Sequence, residues 1–294
     1  PGLYKQPTDI RVQAARRTYV VHVPANYDGR TPVPLVMMFH GAFGTGEDTA
    51  REFGLAALAD REGFLLVLPD GVGLNGQFQH WNAGHCCEWS MRNEIDDAGF
   101  VLGVLDEVLE RFAVDETRVY VAGYSNGGMM AHHFAAEYSD RVAAVAAVAG
   151  TVGGRPSPED PWKTIADPDR ERPVLMIHGT ADGSIAYDGG RGPTSRSKRE
   201  VSSLAQSAAL WAENNRCSEE PTETRERQGA LLRQVWGDCE GGADVMAITL
   251  KDWSHDWPGP ATTGRLDDGE ALHGYDAAEE IWTFFQRFRL EPSD

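Results

Sequence analysis

Residues 119–128 read VYVAGYSNGG, and their interpretation decides the fold. An apolar run ends in Gly123-Tyr124-Ser125-Asn126-Gly127, a G-x-S-x-G pattern, and a stretch at helical spacing, 126–138, opens right after the serine. A strand that turns straight into a helix leaves room beside the turn only for glycine-sized residues. The turn holds its central serine in a strained backbone conformation, with the hydroxyl standing clear of the sheet. The following helix points its N-terminus at the site, which favours negative charge developing there. The lone serine between glycines is therefore read as a reactive hydroxyl at a strand end.

Outward from this turn, short apolar runs recur at 18–24, 34–41, 64–71, 118–125, 142–150, 173–179 and 244–253. Most are continuous and not alternating, which suits strands covered on both faces, as in a parallel sheet. Helical periodicity lies between them at 47–63, 94–112, 126–138, 199–215 and 277–288. The alternation predicts an α/β fold, a mostly parallel, doubly wound sheet flanked by helices, organised as one domain over residues 1–294. The opening strand is expected to run antiparallel. Two Pro- and Gly-rich stretches, 151–173 and 182–197, follow strand ends, where open α/β sheets build binding crevices.

A serine hydroxyl is a poor nucleophile without a base, and the base needs an orienting carboxylate. In α/β-hydrolases the chain order is serine, acid, histidine. Here VLMIHGTADGS (174–184) runs off a strand into Asp182, and LKDWSHDWPG (250–259) runs off the next into His255. Ser125, Asp182 and His255 are thus expected at one sheet edge as nucleophile, acid and base. Asp188 is the alternative acid. His178, His132 and His133 are read as structural. The oxyanion of a tetrahedral intermediate needs N–H donors. One is expected from Asn126 and the other from FHGAFGTG (39–46), with Phe43 favoured over Ala42.

Net charge is −18 with a pI near 4.9. This makes nucleic acid and anionic membranes poor partners and favours a neutral substrate. No apolar run approaches the roughly 20 residues of a membrane span. Cys217 and Cys239 flank a polar, turn-rich stretch. A disulfide there fits an oxidising compartment, the alternative being two buried thiols. The adjacent Cys86 and Cys87 are left as a vicinal disulfide, free thiols or, least favoured on geometry, metal ligands with His80 and His85.

Taken together, HGAFGTG, WNAGHCC, DDAGFV, RVYVAGYSNGGMMAHHFA, VAAVAAVAGT, IHGTADGSIAYDGG and HDWPG resemble, in order, the signature blocks of an esterase group. That group joins polyhydroxybutyrate depolymerases with the feruloyl and acetyl xylan esterases of carbohydrate esterase family one. The resemblance spans about residues 18–285. It implies the catalytic roles given above for Ser125, Asp182 and His255. It also implies that Trp81 and Asn82 lie near the acyl pocket and that Cys217 and Cys239 are paired. Two segments depart from the group's pattern, Ile185-Ala186-Tyr187 after the acid and Trp253-Ser254 before the histidine. Both border the cleft, so the group's substrates transfer poorly. Phe43, Trp81, Trp89, Tyr124, Tyr187, Trp253 and Trp257 supply aromatics around it. Of these, Trp81, Tyr124, Tyr187 and Trp257, with Asn82, are taken as substrate-binding.

The expected activity is that of a serine ester hydrolase working through an acyl-enzyme, with no metal or organic cofactor. Its expected substrates are feruloyl, cinnamoyl or acetyl esters of plant polysaccharide, or hydroxyalkanoate oligomers. A polyhydroxybutyrate depolymerase is the alternative within this class. An acyltransferase and a non-catalytic carbohydrate-binding module are the alternatives outside it. A small or oligomeric ester is the expected partner, and a secreted or periplasmic location follows from the paired cysteines, the acidic surface and the resemblance.

Overall fold

The computed structural model describes residues 1–12, 15–73 and 78–291. Its strands are β1 (Gly2–Val12), β2 (Ala15–Val23), β3 (Val33–Phe39), β4 (Leu65–Pro69), β5 (Val114–Tyr124), β6 (Ala144–Val148), β7 (Gly153–Arg155), β8 (Lys163–Thr164), β9 (Val174–Gly179), β10 (Glu200–Val201), β11 (Thr222–Glu226), β12 (Leu231–Trp236) and β13 (Val245–Leu250). The helices are α1 (Gly46–Glu52), α2 (Leu55–Glu62), α3 (Glu88–Arg92), α4 (Asp97–Arg111), α5 (Asn126–Glu137), α6 (Leu204–Asn214) and α7 (Ala277–Phe285).

Among the described residues, ten strands form one sheet in the order β1-β2-β4-β3-β5-β6-β9-β13-β12-β11. The six strands from β4 to β13 pair parallel, and an antiparallel pair closes each edge. The continuous apolar runs are explained by double coverage. Successive side chains of a strand face opposite ways. In β3, Leu35, Met37 and Phe39 enter a core under α4, α5 and α6, while Val36 and Met38 enter a second core under α1, α2 and α7. Both sides of the sheet are therefore buried, as parallel sheets require.

β2 pairs antiparallel with β1 and β4, as the sequence reading expects of the opening strand. The expected helix 47–63 is two helices, broken at Phe53–Gly54, where Gly54 takes a positive φ of 75°. The expected helix 199–215 begins only at α6, where Ser203 and Gln206 form a capping box. Residues 200–201 are instead β10, which joins β7 and β8 in a small antiparallel sheet.

The hairpin β11–β12 was not expected. β11 reads TETRE and is an exposed edge strand, where charge and lack of an apolar face discourage pairing with other chains. Cys217 and Cys239 bracket this hairpin and are bridged, at a sequence separation of 22. Closing a loop of that size contributes about 3 kcal/mol on the chain-entropy account. The doubly substituted Cys217→Ser/Cys239→Ser protein is accordingly expected to lose about that much unfolding free energy in guanidinium titration, with the slope m somewhat raised as the unfolded chain loses its cross-link.

Candidate active site

β5 ends at Tyr124 and α5 begins at Asn126, so one residue, Ser125, makes the whole turn. Its backbone sits at φ 55°, ψ −122°, a region that costs an L-residue on the order of 1–3 kcal/mol unless its surroundings fix it. The surroundings do: the Ser125 N–H donates to Val148 O at 2.8 Å, and Ser125 O accepts from Met129 N–H at 3.0 Å. The flanking glycines are obligatory. A Cβ on Gly123 would lie 2.0 Å from Gly127 O, and one on Gly127 would lie 2.1 Å from Phe39 O.

Asp182 and His255 follow β9 and β13, and both reach the same edge as Ser125. His255 Nε2 lies 2.9 Å from Ser125 Oγ, and His255 Nδ1 lies 2.6 Å from Asp182 Oδ2. An ionised carboxylate only accepts, so Nδ1 carries the proton and Nε2 offers its lone pair to the hydroxyl. Asp182 Oδ1 accepts the backbone N–H groups of Ser184 and Ile185, each at 2.8 Å. Burial of Asp182 opposes ionisation. Hydrogen bonds from His178 and His255, with the charge of His255, outweigh it and hold the carboxyl well below the usual range.

His178 is more than a packing residue. Its Nε2 lies 2.9 Å from Ile185 O and 3.2 Å from Asp182 Oδ2. A carbonyl cannot donate, so His178 Nε2 carries the hydrogen and shares it between the carbonyl and the carboxylate. The sequence signal was its place four residues before Asp182 at the end of β9. His132, by contrast, is fully buried and accepts from Trp211 Nε1 at 3.1 Å, which is the structural role expected of it.

The loop after β3 is set by His40, a residue the sequence reading passed over. His40 Nδ1 donates to Gly41 O at 2.8 Å, and Nε2 accepts the Gly71 N–H at 2.9 Å. Burial pulls its pKa down to about 4, so the ring is neutral and can do both. The preference for Phe43 as an oxyanion donor is corrected: its N–H is committed to Gln79 O at 2.8 Å. The Ala42 N–H has no acceptor among the described residues, and the first-turn N–H of Asn126 has no helical partner.

A cavity of about 510 Å³ opens at Ser125 and His255. Ala42, Phe43, His80, Tyr124, Met129 and Ile185 help line it. Phe43 is 67% exposed and stands edge-on to His80, with centroids 4.8 Å apart. Tyr124 bounds the cavity and donates its hydroxyl hydrogen to the His255 carbonyl.

Four expected substrate contacts are corrected. Trp81 is fully buried; its indole N–H donates to His40 O at 2.9 Å, and its backbone N–H and carbonyl clamp the Asn126 amide at 2.7 and 3.1 Å. It braces the loop after β3 against the start of α5 and does not line the cavity. Asn82 ties its own loop together, donating to Ile95 O and accepting from Gly84 N–H. The Tyr187 hydroxyl bonds Thr249 Oγ1 at 2.9 Å, and its ring packs edge-on to His178. Trp257 is buried and stacks on Phe53 at 4.3 Å. Of the five side chains expected to bind substrate, Tyr124 alone lines the cavity. Cys86 and Cys87 are joined as a vicinal disulfide, and no cluster of metal-ligating side chains occurs among the described residues.

The sequence profile of the family described as Esterase PHB depolymerase matches residues 17–210. The protein named "Putative esterase NocK" of Nocardia uniformis subsp. tsuyamanensis is 30% identical over 282 residues, 88% of this chain and 77% of that protein. Feruloyl esterase B of Piromyces equi is 28% identical over 246 residues, 81% of this chain but 42% of that longer protein. The solved acetyl xylan esterase from Aspergillus awamori superposes with a TM-score of 0.67 over 97% of this chain and 99% of its own, at 13% identity, and so supports the α/β-hydrolase fold. The chain belongs to the Esterase PHB depolymerase family and is a carboxylic ester hydrolase.

Proposed function

We propose that Ser125, His255 and Asp182 are the nucleophile, base and orienting acid of this hydrolase. The observation that carries the reading is the continuous hydrogen-bonded line from Ser125 Oγ through the imidazole to Asp182, 2.9 and 2.6 Å, opening into a cavity. Ser125 Oγ attacks the ester carbonyl as His255 Nε2 takes its proton. The N–H groups of Asn126 and Ala42 receive the oxyanion. His255 then protonates the leaving alcohol, and water repeats the sequence on the acyl-enzyme. None of these steps calls on a metal or an organic cofactor.

The substrates are small or oligomeric esters. Phe43, His80 and Tyr124 offer aromatic surface to a flat or alkyl acyl group. The names of the relatives favour feruloyl or acetyl esters, and that of the family favours hydroxyalkanoate polyester. The chain acts as one catalytic domain, in the oxidising compartment that the Cys217–Cys239 bridge fits. No helix among the described residues is long and apolar enough to cross a membrane. Quenching a reaction with p-nitrophenyl acetate in its first turnovers should leave an acetylated peptide containing Ser125, detectable by mass spectrometry. A burst of nitrophenol with the acetyl group on another residue would defeat the assignment.

His178 acts through Asp182 as a positioning residue. Hydrogen bonds to charged groups contribute about 1.5–3 kcal/mol. In His178→Ala the carboxylate loses one donor and pairs more strongly with the protonated imidazole of His255, so the acid limb of the kcat/KM profile moves to higher pH. A roughly ten-fold loss of kcat is expected with KM little changed. A uniform loss with an unmoved limb would mean His178 only packs.

A further inference from the structure

Arg199 lines the same cavity as Ser125, yet no carboxylate among the described residues ion-pairs with it. Two other buried arginines pair with carboxylates. Arg17 holds Asp97 at 2.6 Å, and Arg233 holds Glu280 at 2.7 Å. Arg199 Nη1 meets only the sulfurs of Cys86 and Cys87, at 3.5 and 3.4 Å, and sulfur is a weak acceptor. Burial lowers its pKa and Glu88 opposes that, but a guanidinium stays charged.

Its neighbours extend the pattern. Arg196 shares the cavity, and Arg196, Lys198 and Arg92 join Arg199 around an adjoining hollow of about 710 Å³. Glu88 and Asp160 are the acids there. Glu88 lies 3.9 Å from Arg92, and Asp160 accepts from Ser157 at 2.7 Å. Cations outnumber carboxylates at this rim in a chain whose net charge is −18. The segment is also held in place. It runs into β10, where Glu200 pairs with Arg155 and Val201 with Gly154. A fixed, half-desolvated guanidinium fork matches a carboxylate in two parallel hydrogen bonds.

We propose that Arg199, supported by Arg196 and Lys198, forms an anion subsite beside Ser125, and that the preferred substrate is an ester bearing a carboxylate elsewhere on the same molecule. This rests on the esterase reading above and names its substrate class. A linear hydroxyalkanoate oligomer with a free acid end has that chemistry. Overall charge alone favoured a neutral substrate, but the cations lining this rim outnumber its carboxylates.

The test uses a 3-hydroxybutyrate trimer as the free acid and as its neutral methylamide. Calorimetric titration into the Ser125→Ala protein reads binding without turnover. The acid should bind roughly ten-fold more tightly than the methylamide, with the margin shrinking as salt rises. Arg199→Gln should bring the ratio close to one. Arg196→Gln/Lys198→Gln, on exposed side chains, should reduce it even if Arg199→Gln fails to fold. Equal binding of both trimers, or a ratio untouched by the double variant, overturns the subsite. The same pair is offered to the unsubstituted enzyme. Charge-selective binding without cleavage of either trimer or of p-nitrophenyl acetate would sink the esterase reading and leave the subsite standing.

Discussion

Ser125→Ala is expected to lower kcat/KM for p-nitrophenyl acetate by roughly six orders of magnitude, the cost of deleting a serine nucleophile whose base and oxyanion donors act as one unit with it. The argument is local. The methyl group cannot attack, so no acyl-enzyme forms, and His255 Nε2 faces a carbon. What remains is binding and the N–H groups of Asn126 and Ala42, enough for about 10³-fold over water. The fold should not change, because the hydroxyl bonds only His255 and alanine tolerates the turn no worse than serine. The decisive pair of measurements is turnover and the thermal midpoint. Activity surviving in a protein of unchanged midpoint would remove Ser125 from the mechanism.

Asp182→Asn should cost about four orders of magnitude in kcat and some stability as well. The Ser184 and Ile185 N–H groups demand an oxygen at the Oδ1 position. The asparagine NH₂ must then face both His255 Nδ1 and His178 Nε2. His255 would have to accept at Nδ1, which puts its hydrogen on Nε2 and removes the lone pair that serine needs. His178 Nε2, whose hydrogen is also held toward the Ile185 carbonyl, would oppose a second donor, and a buried donor left unmatched costs about 1–3 kcal/mol.

The pH dependence has a definite sign. The folded-state pKa of Asp182 lies below its unfolded value, so its ionisation stabilises the fold above the unfolded carboxyl value of about 3.9. That contribution fades as pH falls toward the folded value. The stability gap between wild type and Asp182→Asn, read by urea titration, should be full at pH 7 and narrow below about pH 5. A gap that is flat across that window would mean the carboxyl is not held ionised.

Ser125, Asp182 and His255 were legible because each follows a strand whose apolar run is unmistakable, and in parallel sheets such ends lie on one edge. The aromatic residues were not legible by the same route. Trp257 and Tyr187 are near His255 and Asp182 in sequence, but Phe53 and Thr249, far away in the chain, decide what they pack against. Trp81 acts through its backbone and indole N–H, which no side-chain type announces. The Phe43 N–H is lost to Gln79, a pairing that depends on where two loops meet. β11 escaped notice because an edge strand carries no apolar face, and the break in 47–63 turned on the positive φ of Gly54, a residue that helices also tolerate.

Tyr124 has a bearing on how this enzyme can change its taste for substrates. The ring is a wall of the cavity, and the hydroxyl is tied to the peptide of His255. Enlarging the acyl site by trimming this side chain would also free the histidine loop, so broader scope and slower chemistry arrive in one step. Widening at Met129, whose side chain has no such tether, separates the two. Divergence within this scaffold is thus steered toward lining side chains that carry no catalytic tether.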